Sequence, residues 1–275
     1  MSKINTLPKP VTKIEESPEP EIQYAATAEL FAEIHQWLEA RGGNKQKTAR
    51  EPEDDVATYY DTHNYRLLRE GIEYRIKNKG HMMRHDMKLP FDPSNREVLP
   101  DENDILWRTE LKFKTKEVKP SLMAFWGQAL LNPVKERLQR RFFDKELHPQ
   151  FLSIFSKEKI DHNAVCGSRV EYSFQTGHME SIARSKRTPT LHILEIELRK
   201  GDLKGLLSEK AALEAEFGPK GLVLLPQRKV IMGFELLSDD MTAKQAASFR
   251  DAKIRNTRAY AAAIEEAGFG ARLAA

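Results

Sequence analysis

Short runs in which charged and apolar side chains alternate recur along most of the chain, and within each run the charges keep to one parity. In extended backbone, residues two apart face the same way. Glu19, Glu21 and Gln23 therefore share a face, while Ile22 and Tyr24 take the other. Arg75 and Lys77 flank Ile76, and Arg108, Glu110, Lys112 and Lys114 line one side with Leu111 and Phe113 behind them. Lys157 pairs with Lys159, Arg169 with Glu171 against Val170 and Tyr172, and Glu195, Glu197 and Arg199 alternate with Ile196 and Leu198. Any one such run is the ordinary wet face of a half-solvated antiparallel strand. Taken together, with helical stretches between them, they point to a closed or nearly closed antiparallel barrel whose polar side faces inward. Closure also removes exposed sheet edges.

A charged interior imposes its own chemistry. Unpaired like charges inside a tunnel cost several kcal/mol per buried ion. Crowded carboxylates call for cations, and crowded lysines and arginines for anions. A metal–polyphosphate complex supplies both at once, and Mg²⁺ is bound by a few carboxylates, substrate phosphates and waters.

The bulk composition fits this reading. Lysine and arginine total 44 against 41 aspartates and glutamates, a net charge of only +3, which argues against a general nucleic-acid coat. Cys166 is the single cysteine, so no internal disulfide forms and a reducing compartment is expected. No apolar run is long enough to span a bilayer, and the N-terminus lacks the apolar core of a signal peptide. The expectation is a soluble cytoplasmic protein with no membrane partner.

Along the chain, residues 1–18 are polar and proline-bearing and read as a disordered tail. A strand is expected from Glu19 to Ala25, then a helix capped by Thr27 with Leu30, Phe31, Ile34, Trp37 and Leu38 on one face. Further strands are expected at Val56–Thr62, Ile72–Lys77, Met82–Leu89, Ile105–Lys114, Phe151–Ile160, Ser168–Gln175 and Leu191–Arg199, with extended chain again at Leu222–Leu225. Helices are expected at Leu122–Leu147, divided by Pro133, and from Asp202 to Phe217 with Asp202 as cap. The predicted organisation is α+β and mainly β: an eight-stranded antiparallel β-barrel over residues 19–237 with flanking helices, and an Ala-rich helical appendix over residues 238–275 that offers a surface for a homodimer.

At this point the ordered motifs resemble the CYTH family, the triphosphate tunnel metalloenzymes that include class IV adenylate cyclases and thiamine triphosphatase. Glu19-Pro-Glu21-Ile-Gln23 stands where that family opens with Glu-x-Glu-x-Lys. Tyr59-Tyr60-Asp61-Thr62, Leu67-Leu68 and Gly71-Ile72-Glu73-Tyr74-Arg75-Ile76-Lys77 are similar to its next signature, followed by Lys88 and Arg108-x-Glu110. Glu195-Ile-Glu197-Leu-Arg199-Lys200-Gly201-Asp202 and Arg228-Lys229-x-x-Met232-Gly233-Phe234 resemble its late elements. Gln23, Gln175 and Met232 depart from the family pattern, which has lysine, aspartate and arginine there.

The resemblance implies a triphosphate held by Arg75, Lys77, Lys88, Lys157, Lys159, Arg169 and Lys229; Lys112 or Lys229 is the candidate to compensate for Gln23. It implies Mg²⁺ or Mn²⁺ on Glu19, Glu21, Glu195 and Glu197, with Glu110 and Glu171 nearby; the catalytic carboxylates are then Glu19, Glu21, Glu110 and Glu171. The implied activity is hydrolysis of inorganic triphosphate or a related organic or nucleoside triphosphate. The alternatives are cyclisation of ATP and a non-catalytic module that binds a triphosphate, a nucleotide or an RNA end, the latter motivated by Gln23 and Met232. His81 and His85, four apart, lack a third partner for zinc and read as surface or core-edge histidines.

Overall fold

β1 (Glu15–Ala25) decides the topology because it uses both of its edges. In the computed structural model, which describes residues 15–45, 55–90, 106–126, 141–142, 145–225 and 229–251, its first part pairs with β6 (Leu106–Thr115), from Glu15↔Lys112 to Glu21↔Leu106. Its last part pairs on the other edge with β9 (Leu191–Lys200), from Glu21↔Glu197 to Ala25↔Ile193. The strands between are β3 (Val56–Asp61), β4 (Glu73–Lys79), β5 (Met82–Pro90), β7 (His148–Asn163) and β8 (Arg169–Ser181). Their hydrogen-bonded order is β1-β6-β5-β4-β3-β7-β8-β9, which returns to β1. The sheet has ten strands; setting aside the two-residue β2 (Asn44–Lys45) and β10 (Val223–Leu224) leaves eight in the ring, all antiparallel. The expected eight-stranded antiparallel barrel, mainly β with flanking helices, is what forms.

Helices cover the outside. α1 (Ala28–Ala40) begins at Thr27, whose Oγ1 accepts the Leu30 N–H at 3.2 Å. α4 (Leu203–Phe217) begins at Asp202, whose carboxylate accepts the Lys204 N–H at 2.8 Å. Both helices bury their apolar faces on Ile22, Tyr24, Val170, Tyr172, Leu194 and Ile196, the outward residues of β1, β8 and β9. α3 (Leu122–Trp126) packs Leu122 and Phe125 against Met87, Leu111 and Phe113 on β5 and β6. The one-turn α2 (Arg66–Arg69) is tied to β3 by Asp61, whose carboxylate accepts N–H bonds from Thr62, Leu67 and Leu68 at 2.6, 2.9 and 3.0 Å.

One end of the interior is apolar. Ala57, Tyr59, Phe151, Phe155, Met179 and Ile193 point inward and meet Val230, Ile231 and Phe234 of α5 (Lys229–Leu236). A Cβ on Gly233 would stand 2.1 Å from the Phe151 ring, so only glycine lets α5 lie this close.

The structure differs from the sequence reading in a few elements. β1 starts at Glu15, inside the expected tail, so Pro18 and Pro20 lie within a strand. They sit before Glu21, where β9 begins to pair, on a stretch with one unpaired edge that tolerates a missing N–H. β7 and β8 run to Asn163 and Ser181, several residues beyond their expected ends, because the polar residues there continue the ladder. The expected helix Leu122–Leu147 lies partly outside the described residues; residues 122–126 and 141–142 are helical, and residues 145–147 are not. Of the expected appendix, residues 243–251 are helical and residues 252–275 lie outside the described part, as does the dimer surface expected there. Among the described residues no helix is long and apolar enough to cross a membrane.

Candidate functional site: the charged half of the barrel interior

Beyond the apolar plug, the same inward-facing parity turns ionic. On β4, Arg75 is held on three sides. Its Nε donates to Asp86 Oδ2 at 3.2 Å, its Nη1 donates to the Tyr59 hydroxyl at 3.2 Å, and its Nη2 lies 3.6 Å from Glu110. Burial pushes the Asp86 carboxyl up, but Arg75 and Arg84 outweigh it and hold the group at about 2. Burial raises the Tyr59 phenol to about 12, so it stays a neutral hydroxyl beside the guanidinium. Such a fixed, planar guanidinium is suited to phosphate recognition.

The acidic side is built by β1 and β9. Glu21 is 2% exposed and receives Arg108, which also donates to Glu73 at 2.6 Å; Lys88 approaches Glu21 at 3.4 Å. Gln23 donates through Nε2 to both Glu21, at 2.8 Å, and Glu195, at 2.9 Å. Lys229, at the start of α5, donates to Glu195 and to Gln175 Oε1, both at 2.5 Å, while Gln175 Nε2 closes the square on Glu195. Burial alone would raise Glu195, yet Lys229, Lys157 and Lys88 hold it well below the usual carboxylate range. Glu197 faces Glu21 across the ladder and pairs with Arg199 at 2.7 Å. Arg199 also donates to Glu171 at 2.8 Å, and Lys159 completes the contacts of that carboxylate. Burial works against charge on Glu171, but Lys159 and Arg199 prevail and lower it.

The basic side is crowded. Lys77 donates to Asp55 at 3.0 and 3.2 Å, Lys79 does so at 3.1 Å, and Lys157 lies 3.5 Å from the same carboxylate. Burial opposes the charge on Asp55, yet the three lysines push it far below the ordinary range. One carboxylate cannot neutralise three ammoniums. Lys77 is accordingly driven well below the normal lysine value, first by burial and then by Arg75 and Lys157. Burial likewise brings Lys229 down to about 7, although Glu195 works the other way. Among the described residues, Lys77, Lys79 and Lys157 thus share one carboxylate, and burial opposes the charge on Lys77 and Lys229.

The structure brings Glu21, Lys88, Lys157, Glu195 and Lys229 into one network, with Arg75 and Lys77 beside it. Lys112 sits against Glu110 as its ion-pair partner, and Lys159 against Glu171. Arg169 is exposed at the first position of β8, where the ladder to β9 shifts register, and does not join the inward row. Glu19 occupies a β1 position opposite Arg108; its side chain lies outside the described part. Residues absent from the expected site are Asp55, Tyr59, Asp86 and Arg108. Asp86 and Arg108 were accessible to the two-residue parity rule; Asp55, in a charged loop before β3, carried no such signal. His85 is buried and bonded to Tyr74, on the outer face of β5.

For a metal ion, the donor chemistry is that of a hard cation. Glu21 and Glu197 face each other in register, and Gln23 Oε1, buried beside Glu21 and Glu195, has no hydrogen-bond partner. Oxygen donors of this kind suit Mg²⁺ or Mn²⁺. Among the described residues no three of His, Cys, Asp and Glu gather as a preformed metal cage. A hard cation here would draw on one or two of these carboxylates, with water completing its shell.

No protein-family model and no curated protein matches the chain. Solved structures similar to it include a candidate adenylate cyclase from Bacillus halodurans, with 12% identity, 80% of this chain and 98% of that one covered, and a TM-score of 0.46. The PH1012 protein from Pyrococcus horikoshii is similar at 12% identity, 79% and 98% coverage and a TM-score of 0.45. HpAC1 from Hippeastrum, a candidate adenylyl cyclase with a dominant triphosphatase activity, is similar at 12% identity, 79% and 95% coverage and a TM-score of 0.46.

Proposed function

We propose that the charged half of the barrel binds a triphosphate and hydrolyses it, as the resemblance to the triphosphate tunnel family implies. The observation that carries this reading is the gathering of Arg75, Lys77, Lys157 and Lys229 on the inward face beside the carboxylates of β1 and β9, with Lys77, Lys79 and Lys157 crowded on the single carboxylate of Asp55. Burial lowers Lys77 and Lys229, and a polyanion placed beside them would favour their charged forms. Arg75, fixed by Asp86 and Tyr59, presents its guanidinium to non-bridging phosphoryl oxygens. Lys77, Lys88, Lys157 and Lys229 neutralise charge that develops on those oxygens and on the leaving phosphate. A Mg²⁺ or Mn²⁺ ion on Glu21 and Glu197, with Glu19 and Glu195 next to them in the two strands, supplies further neutralisation when bound. Glu110 and Glu171 are the carboxylates that orient the attacking water, whose oxygen forms the new P–O bond as the bridging P–O bond breaks.

Purified protein should release orthophosphate from tripolyphosphate or a nucleoside triphosphate with Mg²⁺ or Mn²⁺ at some pH between acid and alkaline. Absence of release under every condition removes the hydrolase reading. Release of pyrophosphate with cyclic nucleotide from ATP replaces it with the cyclase reading. A second reading, binding without turnover, is favoured by Gln23, a neutral side chain bridging Glu21 and Glu195 where a charged one is the family pattern. Tight calorimetric binding of tripolyphosphate with no product formed would establish that reading.

A further inference from the structure

Asp55 stands out because it is an acid placed where the interior otherwise collects bases. Its carboxylate accepts from Lys77 and Lys79 and lies 3.5 Å from Lys157. Two of these lysines, Lys77 and Lys157, belong to the basic set proposed above for the phosphates. The carboxylate thus occupies the seat a phosphate would take, with the same donors and the same geometry of several ammoniums on one anion.

Its attachment is also unlike that of the other interior acids. Glu21, Asp86, Glu110, Glu171 and Glu195 project from the middle of laddered strands. Asp55 comes immediately before Val56, the first paired residue of β3, so its backbone lies outside the ladder. The side chain is 13% exposed, and displacing it would break no hydrogen bond of the strand ladder.

We propose that Asp55 is an internal competitor for the phosphate group that Lys77, Lys79 and Lys157 receive. The proposal rests on the triphosphate reading of this site. A phosphate group at the end of a chain already anchored near Lys88 and Lys229 arrives at high effective concentration and displaces one carboxylate. Free orthophosphate has no such anchor and must compete with a resident anion. The same competition favours departure of the product once the chain is cut.

The test is calorimetric binding of inorganic tripolyphosphate and of orthophosphate to the full chain and to Asp55→Asn, Asp55→Ser and Asp55→Glu. Removing the charge should tighten both ligands about tenfold or more, the scale of one charge-assisted hydrogen bond no longer competed for. Asp55→Glu, which keeps the charge, should bind like the original chain. In a Lys77→Met background the gain from Asp55→Asn should shrink, because the two anions then share fewer donors. If the original chain binds tripolyphosphate and neither neutral variant binds it more tightly, this proposal fails while the triphosphate reading stands. A gain of equal size in Asp55→Glu, or an undiminished gain in the Lys77→Met background, also overturns it. If the original chain binds no tripolyphosphate, the triphosphate reading itself falls and takes the proposal with it. Asp55→Ser keeps the test decisive should Asp55→Asn fail to fold.

Discussion

The two halves of the barrel interior are made by the same strands and the same parity, yet they are chemical opposites. β7 places Phe151 and Phe155 inward, then Lys157 and Lys159; β9 places Ile193 inward, then Glu195 and Glu197; β8 runs from Glu171 and Gln175 to Met179. The boundary crosses the three strands at neighbouring register positions, where Lys157 opposes Gln175 and Gln175 opposes Ile193. On one side α5 presses on aromatic rings and excludes water. On the other, burial is imposed on charges that it destabilises. The apolar half closes the barrel with packed rings; the ionic half holds paired charges against the cost of burying them, Lys77 and Lys229 among them.

If that division is right, substitutions in the two halves should move different observables. The largest effect is expected for Phe151→Ala. Phe151 stacks on Tyr59 with ring centroids 4.6 Å apart and packs against Gly233 and Phe234 of α5. Truncation should cost about 3–5 kcal/mol in urea unfolding. A loss below about 1 kcal/mol would mean that the plug does not hold the barrel. Next comes Lys77→Met, in the other half. It should weaken tripolyphosphate binding by about 2–3 kcal/mol while leaving unfolding free energy unchanged or raised, because it removes a charge opposed by burial, Arg75 and Lys157. Parallel losses of stability and binding would erase the distinction between the halves. Gly233→Ala returns to the plug with a smaller expected loss, about 1–3 kcal/mol, from forcing a methyl against the Phe151 ring. Its check is the same unfolding curve.

Most of the ring was legible in the sequence because period-two alternation is written directly into strands with one apolar face. Arg75, Lys77, Glu195 and Glu197 could be assigned to a face without any coordinates. Two kinds of feature were not legible. β1 begins before its alternation does, in a proline-bearing stretch whose pairing to β6 depends on which edge is left open. Asp55 enters the site from outside a strand, so no periodicity marks it. Arg169 shows the converse: its parity matched the inward row, but a register shift between Arg169 and Val170 leaves it exposed at the strand's start. Gln23 illustrates a third limit. The missing lysine charge was evident, but only the folded chain shows Lys229 of α5 reaching the same Glu195 oxygen that Gln23 contacts.

That convergence gives a prediction of smaller size. Gln23→Lys would put an ammonium between Glu21 and Glu195, close to the one that Lys229 already supplies. Tripolyphosphate binding should tighten by about 1 kcal/mol, and phosphate release should not fall. A weaker complex would mean that Lys229 already fills the role and that a second charge only repels it.

The smallest effect lies on the outer face and sharpens the comparison by asking whether a titrating group there leaves the interior untouched. His85 Nε2 is 3.0 Å from the Glu117 carbonyl oxygen, which only accepts, so this nitrogen carries the hydrogen. Nδ1 is then the acceptor for the Tyr74 hydroxyl at 2.7 Å, and that hydroxyl accepts the Ser121 N–H at 3.1 Å. Protonating Nδ1 turns an acceptor into a donor facing the hydroxyl. Burial, the dominant cause, accordingly lowers the His85 pKa below its ordinary 6.5. The unfolded chain therefore binds this proton more readily than the folded one. The contribution is fully present above about pH 6.5 and is lost as pH falls from there toward the lower folded value, with a slope of at most about 1.4 kcal/mol per pH unit. His85→Gln keeps a donor and an acceptor but does not titrate, so its stability should lose that component of the acid slope. Tripolyphosphate affinity at neutral pH should not change, because the ring faces α3 and Phe113 instead of the cavity. An unchanged slope in the variant would assign the acid sensitivity to the interior carboxylates, and a changed affinity would show that the outer layer and the site are coupled.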